Sequence, residues 1–257
     1  MMNTPVDPRL AATLILIRET AAQPLQTLMV KRHQDIKFAG GAIVFPGGRV
    51  DSTDHALADR DNEDALKIAA IRETFEESGI LLACHAATGA AVTKVVADRV
   101  LAKYRSALCN GEITFAAMLD EESLVAATDT LVPFARWITP PSRPKRFDTH
   151  FFLAGYSDDQ DADHDGGEIT EAIWISPHEL LAAAIDGQYK LVFATRMNVE
   201  RLAAFGTVEQ VLDAIRSTPV VTVQPETIET PEGKRIRIPA DAGYGGELFV
   251  SNDPASI

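Results

Sequence analysis

Residues 63–80 of this chain constrain its fold more than any other stretch, because they read as one helix with two incompatible sides. Helical spacing begins near Glu63, with Asn62 or Asp61 as the N-cap, and stops at Gly79, which supplies a left-handed C-cap. Ile68, Ile71 and Phe75 recur at helical intervals and anchor one side in a core. Glu73, Glu76 and Glu77 stand at i, i+3 and i+4 and project together from another side. Clustered glutamates repel each other, by a few tenths of a kcal/mol per exposed pair and by more if buried. Arg72, four residues before Glu76, offsets part of that repulsion. A hard divalent cation offsets the rest, since magnesium is commonly held by one or two carboxylates and keeps positions open for phosphate and water.

The flanking sequence supplies a sheet for this helix to pack on. Residues 10–18 and 25–31 form an expected β-hairpin around Gln23-Pro24, and 42–45 is a short strand stopped by Pro46-Gly47-Gly48. The acidic stretch 51–61 reads as a surface loop. Residues 82–134 are Ala-rich, with helical spacing over 92–108 and 121–127, and read as a helical insertion. Strands are expected at 136–139, 149–156 and 172–175, then a helix begun by Pro177 and running to about residue 185. A further helix spans about 194–217, broken near Gly206, and the tail pairs 220–223 with 235–238 through Pro231-Glu232-Gly233. The expectation is one domain over residues 1–257, α/β or α+β, layered around a mixed sheet, with a C-terminal helix and hairpin over about 190–250.

Charge narrows the partners. A net charge of −13 argues against a nucleic-acid partner, which requires lysine and arginine concentrated on one face. A negative surface also repels anionic small molecules unless basic residues or cations reverse its sign locally. Cys84 and Cys109 lack metal-type spacing and read as reduced thiols. The apolar run 10–17 is too short to span a bilayer, and Ala255-Ser256-Ile257 is no peroxisomal tripeptide, so no membrane partner and a cytoplasmic location are expected.

Gly48 followed by Arg72-Glu73-Thr74-Phe75-Glu76-Glu77-Ser78-Gly79-Ile80 resembles the Nudix box, G-x5-E-x7-R-E-U-x-E-E-x-G-U, where U is a bulky apolar residue. Thr74 replaces one apolar U. Gly48 and Arg72 lie 24 positions apart where the box has 14, so about ten residues are inserted. Counting back from Arg72 places Asp64, beside Glu63, where the box has its first glutamate. Residues 31–33 and 38–51, Trp137-Ile138-Thr139-Pro140 and 146–152 are similar to the Nudix branch containing the mammalian peroxisomal coenzyme A diphosphatases. The resemblance implies an α/β/α sandwich and hydrolysis of a nucleoside diphosphate linked to another moiety, using magnesium or manganese. It implies Glu73, Glu76 and Glu77 as metal ligands and Arg72 as the ion-pairing centre of the cluster. It also implies Gly47 and Gly48 as backbone lining of the site. The general base is open among Glu73, Glu168 and Glu171. Lys31, Arg32, Lys37, Lys145 and Arg146 are candidate phosphate contacts. Coenzyme A or an acyl derivative is the expected substrate, with ADP-ribose, NADH and nucleotide sugars as alternatives, and the family implies a homodimer.

Two readings compete. A non-catalytic Nudix-like ligand sensor would share the fold, since fold alone does not settle activity. Asp161, Asp163, Asp165 and Gly166 match the first half of a calcium-binding EF-hand loop, but position 12 falls on Ala172. His150 and His178 lie in no nucleophile motif and read as structural histidines.

Overall fold

Alternation along the first strand decides the architecture. In β1 (Arg9–Arg18), Ala12, Leu14 and Leu16 point to one side and Ile15 and Ile17 to the other, and all five are fully buried. A strand buried on both faces needs a protein layer above and below it. The computed structural model describes residues 6–36, 39–58, 62–156 and 160–250 and supplies both layers.

The chain continues through β2 (Gln26–Arg32), β3 (Ile43–Val44) and β4 (Gly47–Arg49) to helices α1 (Ser52–Leu57) and α2 (Asn62–Ser78). Next come β5 (Ala83–His85), α3 (Lys94–Cys109), α4 (Phe115–Glu121) and β6 (Leu124–Ala126). Then follow β7 (Val132–Ile138), β8 (Phe147–Tyr156), β9 (Ile169–Ile175) and helices α5 (Pro177–Ile185), α6 (Phe193–Ala203) and α7 (Val208–Arg216). The tail adds β10 (Thr222–Val223), β11 (Glu226–Thr230), β12 (Gly233–Arg237) and β13 (Leu248–Val250). Among the described residues eight strands form a mixed sheet in the order β10-β7-β8-β1-β2-β3, with β4 also on β1 and β9 also on β2. β1 and β8 run parallel through the middle, and β7 and β2 flank them antiparallel.

On one face Ala12, Leu14, Leu16, Phe152 and Ala154 pack against Ala69, Phe75 and the helices of the insertion. On the other, Ile15, Ile17, Met29 and Leu153 pack against α5, α6, α7 and the tail. No helix among the described residues is long and apolar enough to cross a membrane.

Four expectations change. Residues 52–57 of the presumed loop are helix α1, because Asp54 turns inward and its Oδ2 accepts the Asp51 N–H, 2.8 Å. Strand β3 does stop before Pro46, but Gly47, Gly48 and Arg49, expected only to end it, form a new strand paired with Thr13, Ala12 and Ala11, and the Pro46 carbonyl accepts the Leu14 N–H, 2.9 Å. The helix expected at 121–127 lies earlier, at Phe115–Glu121. Ser123 then takes a positive φ of 54°, and Leu124–Ala126 pairs with Ala83–His85. In the tail, β12 pairs with Glu226–Thr230, while Thr222–Val223 runs parallel to β7 in the main sheet.

Candidate active site

Parity places a cleft where core packing stops. Arg9, Ala11 and Thr13 lie on one face of β1, in register with Phe147, Thr149 and Phe151 of β8. Farther along, the same face buries Ile15, Ile17 and Leu153, but at this end it floors a cleft of about 780 Å³. Trp137, Lys145 and Phe193 wall one side. Arg32, Glu168 and the carboxylates of α2 wall the other.

Helix α2 packs against the opposite face of the sheet, so its glutamates reach the cleft past the β4 edge. Glycine makes this possible. A Cβ on Gly48 would fall inside the Glu73 carboxylate, and one on Gly47 would strike the backbone of Ala12 and Thr13. With no side chain there, the Gly47 N–H donates to Glu77 Oε2, 2.9 Å. Gly79 has φ +76° and its N–H closes the helix on the Phe75 carbonyl, 2.9 Å, as the C-cap expectation requires. Thr74 fits an apolar position because its hydroxyl donates to the Ala70 carbonyl within the helix, 2.7 Å.

Arg72 is the centre of the carboxylate cluster. Its Nε and Nη2 form a fork on Asp54, both bonds 2.9 Å. Nη1 donates to Glu73, 3.0 Å, and to Glu76, 3.2 Å, while Nη2 also reaches the Arg49 carbonyl, 2.9 Å. Burial opposes its charge, but the Asp54 hydrogen bonds and the charge of Glu73 outweigh that and raise its pKa. The glutamates feel burial more than attraction. Glu73 is lifted from 4.5 to about 7 by burial, against the pull of Arg72 and with the help of the Glu76 charge. Burial raises Glu76 too, and holds Glu77 well above the usual carboxylate range, with Glu73 adding to it.

Asp54 was not among the residues selected from the sequence. Counting back from Arg72 pointed to Asp64, with Glu63 beside it; Glu63 instead pairs with Lys67 on the helix surface, 2.9 Å. Counting forward from Gly48 by the box's own G-x5-E spacing reaches Asp54, and the inserted residues therefore follow it. That count was the signal available.

The remaining candidates divide. Arg32 lines the cleft and bridges Glu168 and Glu77, the latter at 3.7 Å. Glu168 is also at the cleft; Glu171 is not, since it accepts from the Tyr189 hydroxyl, 2.9 Å, and lies 3.8 Å from Lys31. Arg146 does not reach the cleft. It is buried, with Nε on the Thr139 carbonyl, 2.9 Å, and Nη1 on the Val6 carbonyl, 2.8 Å, and its neighbour Lys145 lines the cleft instead. Lys37 lies outside the described residues. The segment with Asp161, Asp163 and Asp165 runs into β9 without the second helix of an EF-hand, and Asp165 is consumed by the N–H groups of Gly167 and Ile169. His150 is 3.5 Å from Asp148, burial lowers its pKa, and His178 is exposed on the first turn of α5.

Among the described residues, no three carboxylate, imidazole or thiolate groups close on a single point as a finished metal cage. Glu73 and Glu76 face Arg72, and Glu77 faces Gly47. The donor chemistry nevertheless suits a hard cation: carboxylates on one ridge, at a cleft, whose ionised forms are held at a disadvantage by burial.

The comparisons with known proteins agree with this frame. A Nudix domain model matches residues 7–99, and the NUDT19 Nudix domain model matches residues 59–202, more than half the chain. The chain belongs to the Nudix hydrolase family, within its NUDT19 branch. It is 34% identical over 187 residues to a Caenorhabditis elegans protein assigned to the family as nudix hydrolase 7, covering 71% of this chain and 56% of that one. It is 26% identical over 204 residues to the Xenopus laevis acyl-coenzyme A diphosphatase NUDT19, covering 61% and 54%. The chain thus spans about half the length of these relatives. A crystal structure of a Nudix hydrolase from Alicyclobacillus acidocaldarius superposes with a TM-score of 0.68 at 29% identity, over 83% of this chain and 99% of that one.

Two outcomes follow from the buried cluster. Asp54→Ala strands the Arg72 guanidinium with its fork removed, and is expected to cost about 3 kcal/mol or more in denaturant unfolding; a loss below about 1 kcal/mol would show that the pair is dispensable. Glu73 has a folded pKa above its unfolded value, so its contribution to stability is complete below 4.5 and lost as pH rises through about 7. In chelator, the wild-type midpoint of thermal unfolding should therefore fall relative to Glu73→Gln between pH 5 and pH 8. A constant gap would contradict the buried placement.

Proposed function

We propose that this chain is a divalent-metal-dependent hydrolase of the diphosphate linkage in a nucleoside-diphosphate derivative, with coenzyme A or an acyl-coenzyme A as its substrate. One observation carries the reading: Glu73, Glu76 and Glu77 line the same cleft as Arg32, Lys145 and the apolar wall of Trp137 and Phe193. One end suits cations and phosphate, and the other suits a bulky organic group.

Glu73, Glu76 and Glu77 would hold magnesium or manganese. The chemistry such a cation supplies when bound is activation of water and neutralisation of charge on the phosphate oxygens. The side chains do the rest. Arg72, fixed by Asp54, holds Glu73 and Glu76 in place. Arg32 and Lys145 donate to phosphate oxygens, a task for which arginine supplies a planar fork and lysine a point charge. Glu168 takes the proton of the attacking water: it is the candidate base that faces the cleft from outside α2, whereas Glu171 is tied to Tyr189. Water adds to one phosphorus, the bridging P–O bond breaks, and two phosphate monoesters leave. Gly47 and Gly48 leave the β4 edge of the cleft bare of side chains, so that phosphate can approach the backbone there.

The substrate rests on the NUDT19 match and on residues 38–51, which resemble the coenzyme A diphosphatase branch. The named activity of the Xenopus laevis relative supports it. A panel of coenzyme A, acetyl-coenzyme A, ADP-ribose, NADH and nucleotide sugars, assayed with and without magnesium and resolved by mass, tests it. Coenzyme A or its acyl derivative should yield 3′,5′-ADP only with the metal. Faster cleavage of another diphosphate would replace the substrate, and no cleavage of any would favour a ligand sensor.

A further inference from the structure

The helical insertion contributes nothing to the chemistry above, yet one of its side chains grips the end of the glutamate helix. Arg105 on α3 donates from Nε to the Glu76 carbonyl, 2.9 Å. Its Nη2 donates to the Asp163 carbonyl, 2.7 Å, and its Nη1 to the His164 carbonyl, 3.3 Å. One planar cation thus caps the last turn of α2 and holds a second stretch of backbone beside it.

That second stretch is fastened once more to the helix end and once to the chain just past it. The Asp163 N–H donates to the Ser78 carbonyl, 2.9 Å. The buried Gln160 amide donates to the Leu81 carbonyl, 3.1 Å, and accepts from the Leu81 N–H, 2.9 Å. Directly after it, Asp165 folds the chain toward the cleft: Oδ1 accepts the N–H groups of Gly167, 3.0 Å, and Ile169, 2.9 Å, and Oδ2 that of Glu168, 3.3 Å. Glu168 then pairs with Arg32, which also faces Glu77. The path from the Glu76 turn through Arg105, Asp163, Asp165 and Glu168 to Arg32 and Glu77 forms a closed ring of contacts.

We propose that Arg105 is a positioning residue: it fixes the backbone strap at 160–165 to the end of α2 and so sets Glu168 in register with the glutamate ridge. The insertion is thereby a brace for the base. The inference rests on Glu168 acting as the base. It goes further by giving a function to a residue that touches neither substrate nor reacting atoms. A lysine at 105 could reach one of the three carbonyls, and a glutamine could not span them.

The test is a double-mutant cycle on the full chain with the substrate found by the panel. Glu168→Gln should lower kcat by about 10²-fold or more. Arg105→Gln should lower kcat by about tenfold to 100-fold with KM nearly unchanged, as a small misplacement of a catalytic group does. Arg105→Lys should recover part of the loss. In the Glu168→Gln background Arg105→Gln should add almost nothing. Hydrogen exchange should quicken at the Asp163 and Ile169 amides in Arg105→Gln, while the amides of residues 69–75 keep their protection. Equal losses in both backgrounds, or unchanged kcat with unchanged exchange, would overturn the positioning assignment and leave Glu168 as base. Undiminished kcat in Glu168→Gln would instead remove the base, and the inference with it.

Discussion

A single guanidinium holds Asp54, Glu73 and Glu76 by hydrogen bonds, with Asp51 a further carboxylate at 3.9 Å, and the site depends on it. Arg72 is nearly excluded from solvent, as is Asp54, and the fork between them satisfies both members of a buried pair that would otherwise be costly. With two of its nitrogens committed to Asp54, the third is directed at Glu73 and Glu76. The arginine therefore does two things at once. It offsets repulsion along the ridge and it fixes where the ridge lies. Arg72, with Arg32 facing Glu77, does not neutralise Asp54, Glu73, Glu76 and Glu77, and burial raises the pKa of all three glutamates despite these cations. A site with surplus negative charge in a poorly solvated place has a standing demand for further positive charge.

The sheet meets that demand in space. The carboxylates originate on one layer and reach the cleft on the other, and the crossing point is the edge strand Gly47–Arg49. Side chains at 47 or 48 would block it, so the glycines are required by the Glu73 carboxylate and by the backbone of Thr13 rather than by a turn. Once through, the acids meet a cleft whose floor is the exposed end of a face that elsewhere forms core. Arg32 and Lys145 place positive charge at this cleft in a protein whose net charge is −13.

Much of this was legible in the sequence, and the limits have physical causes. Helix α2 could be read from Ile68, Ile71, Phe75 and Gly79 because its periodicity is long and its stop is a glycine in the left-handed region. Pro177 marked α5 for a similar reason, with Ser176 and Glu179 closing a capping box. Helix α1 was not legible: it is six residues long, polar, and held by the inward turn of Asp54, a tertiary event. Asp54 itself was hidden because the insertion shifts the frame when counted from the wrong end. Arg146 looked like a phosphate contact because it is basic and beside Lys145, but it lies just before β8, where its guanidinium folds back onto the carbonyls of Thr139 and Val6, a tertiary contact that no local pattern announces. Leu124–Ala126 has helix-compatible composition, and pairing with Ala83–His85 overrides that preference.

Cation binding by the ridge is the claim on which the hydrolase reading stands, and it can be measured without turnover. Free and bound manganese, separated by electron paramagnetic resonance on the full chain, would report it directly in the wild type and in Glu73→Gln, Glu76→Gln and Glu77→Gln. The expected result is saturable binding by the wild type and affinity lower by about tenfold or more in each variant. Manganese bound equally well by all four proteins would place the cation elsewhere and contradict the account.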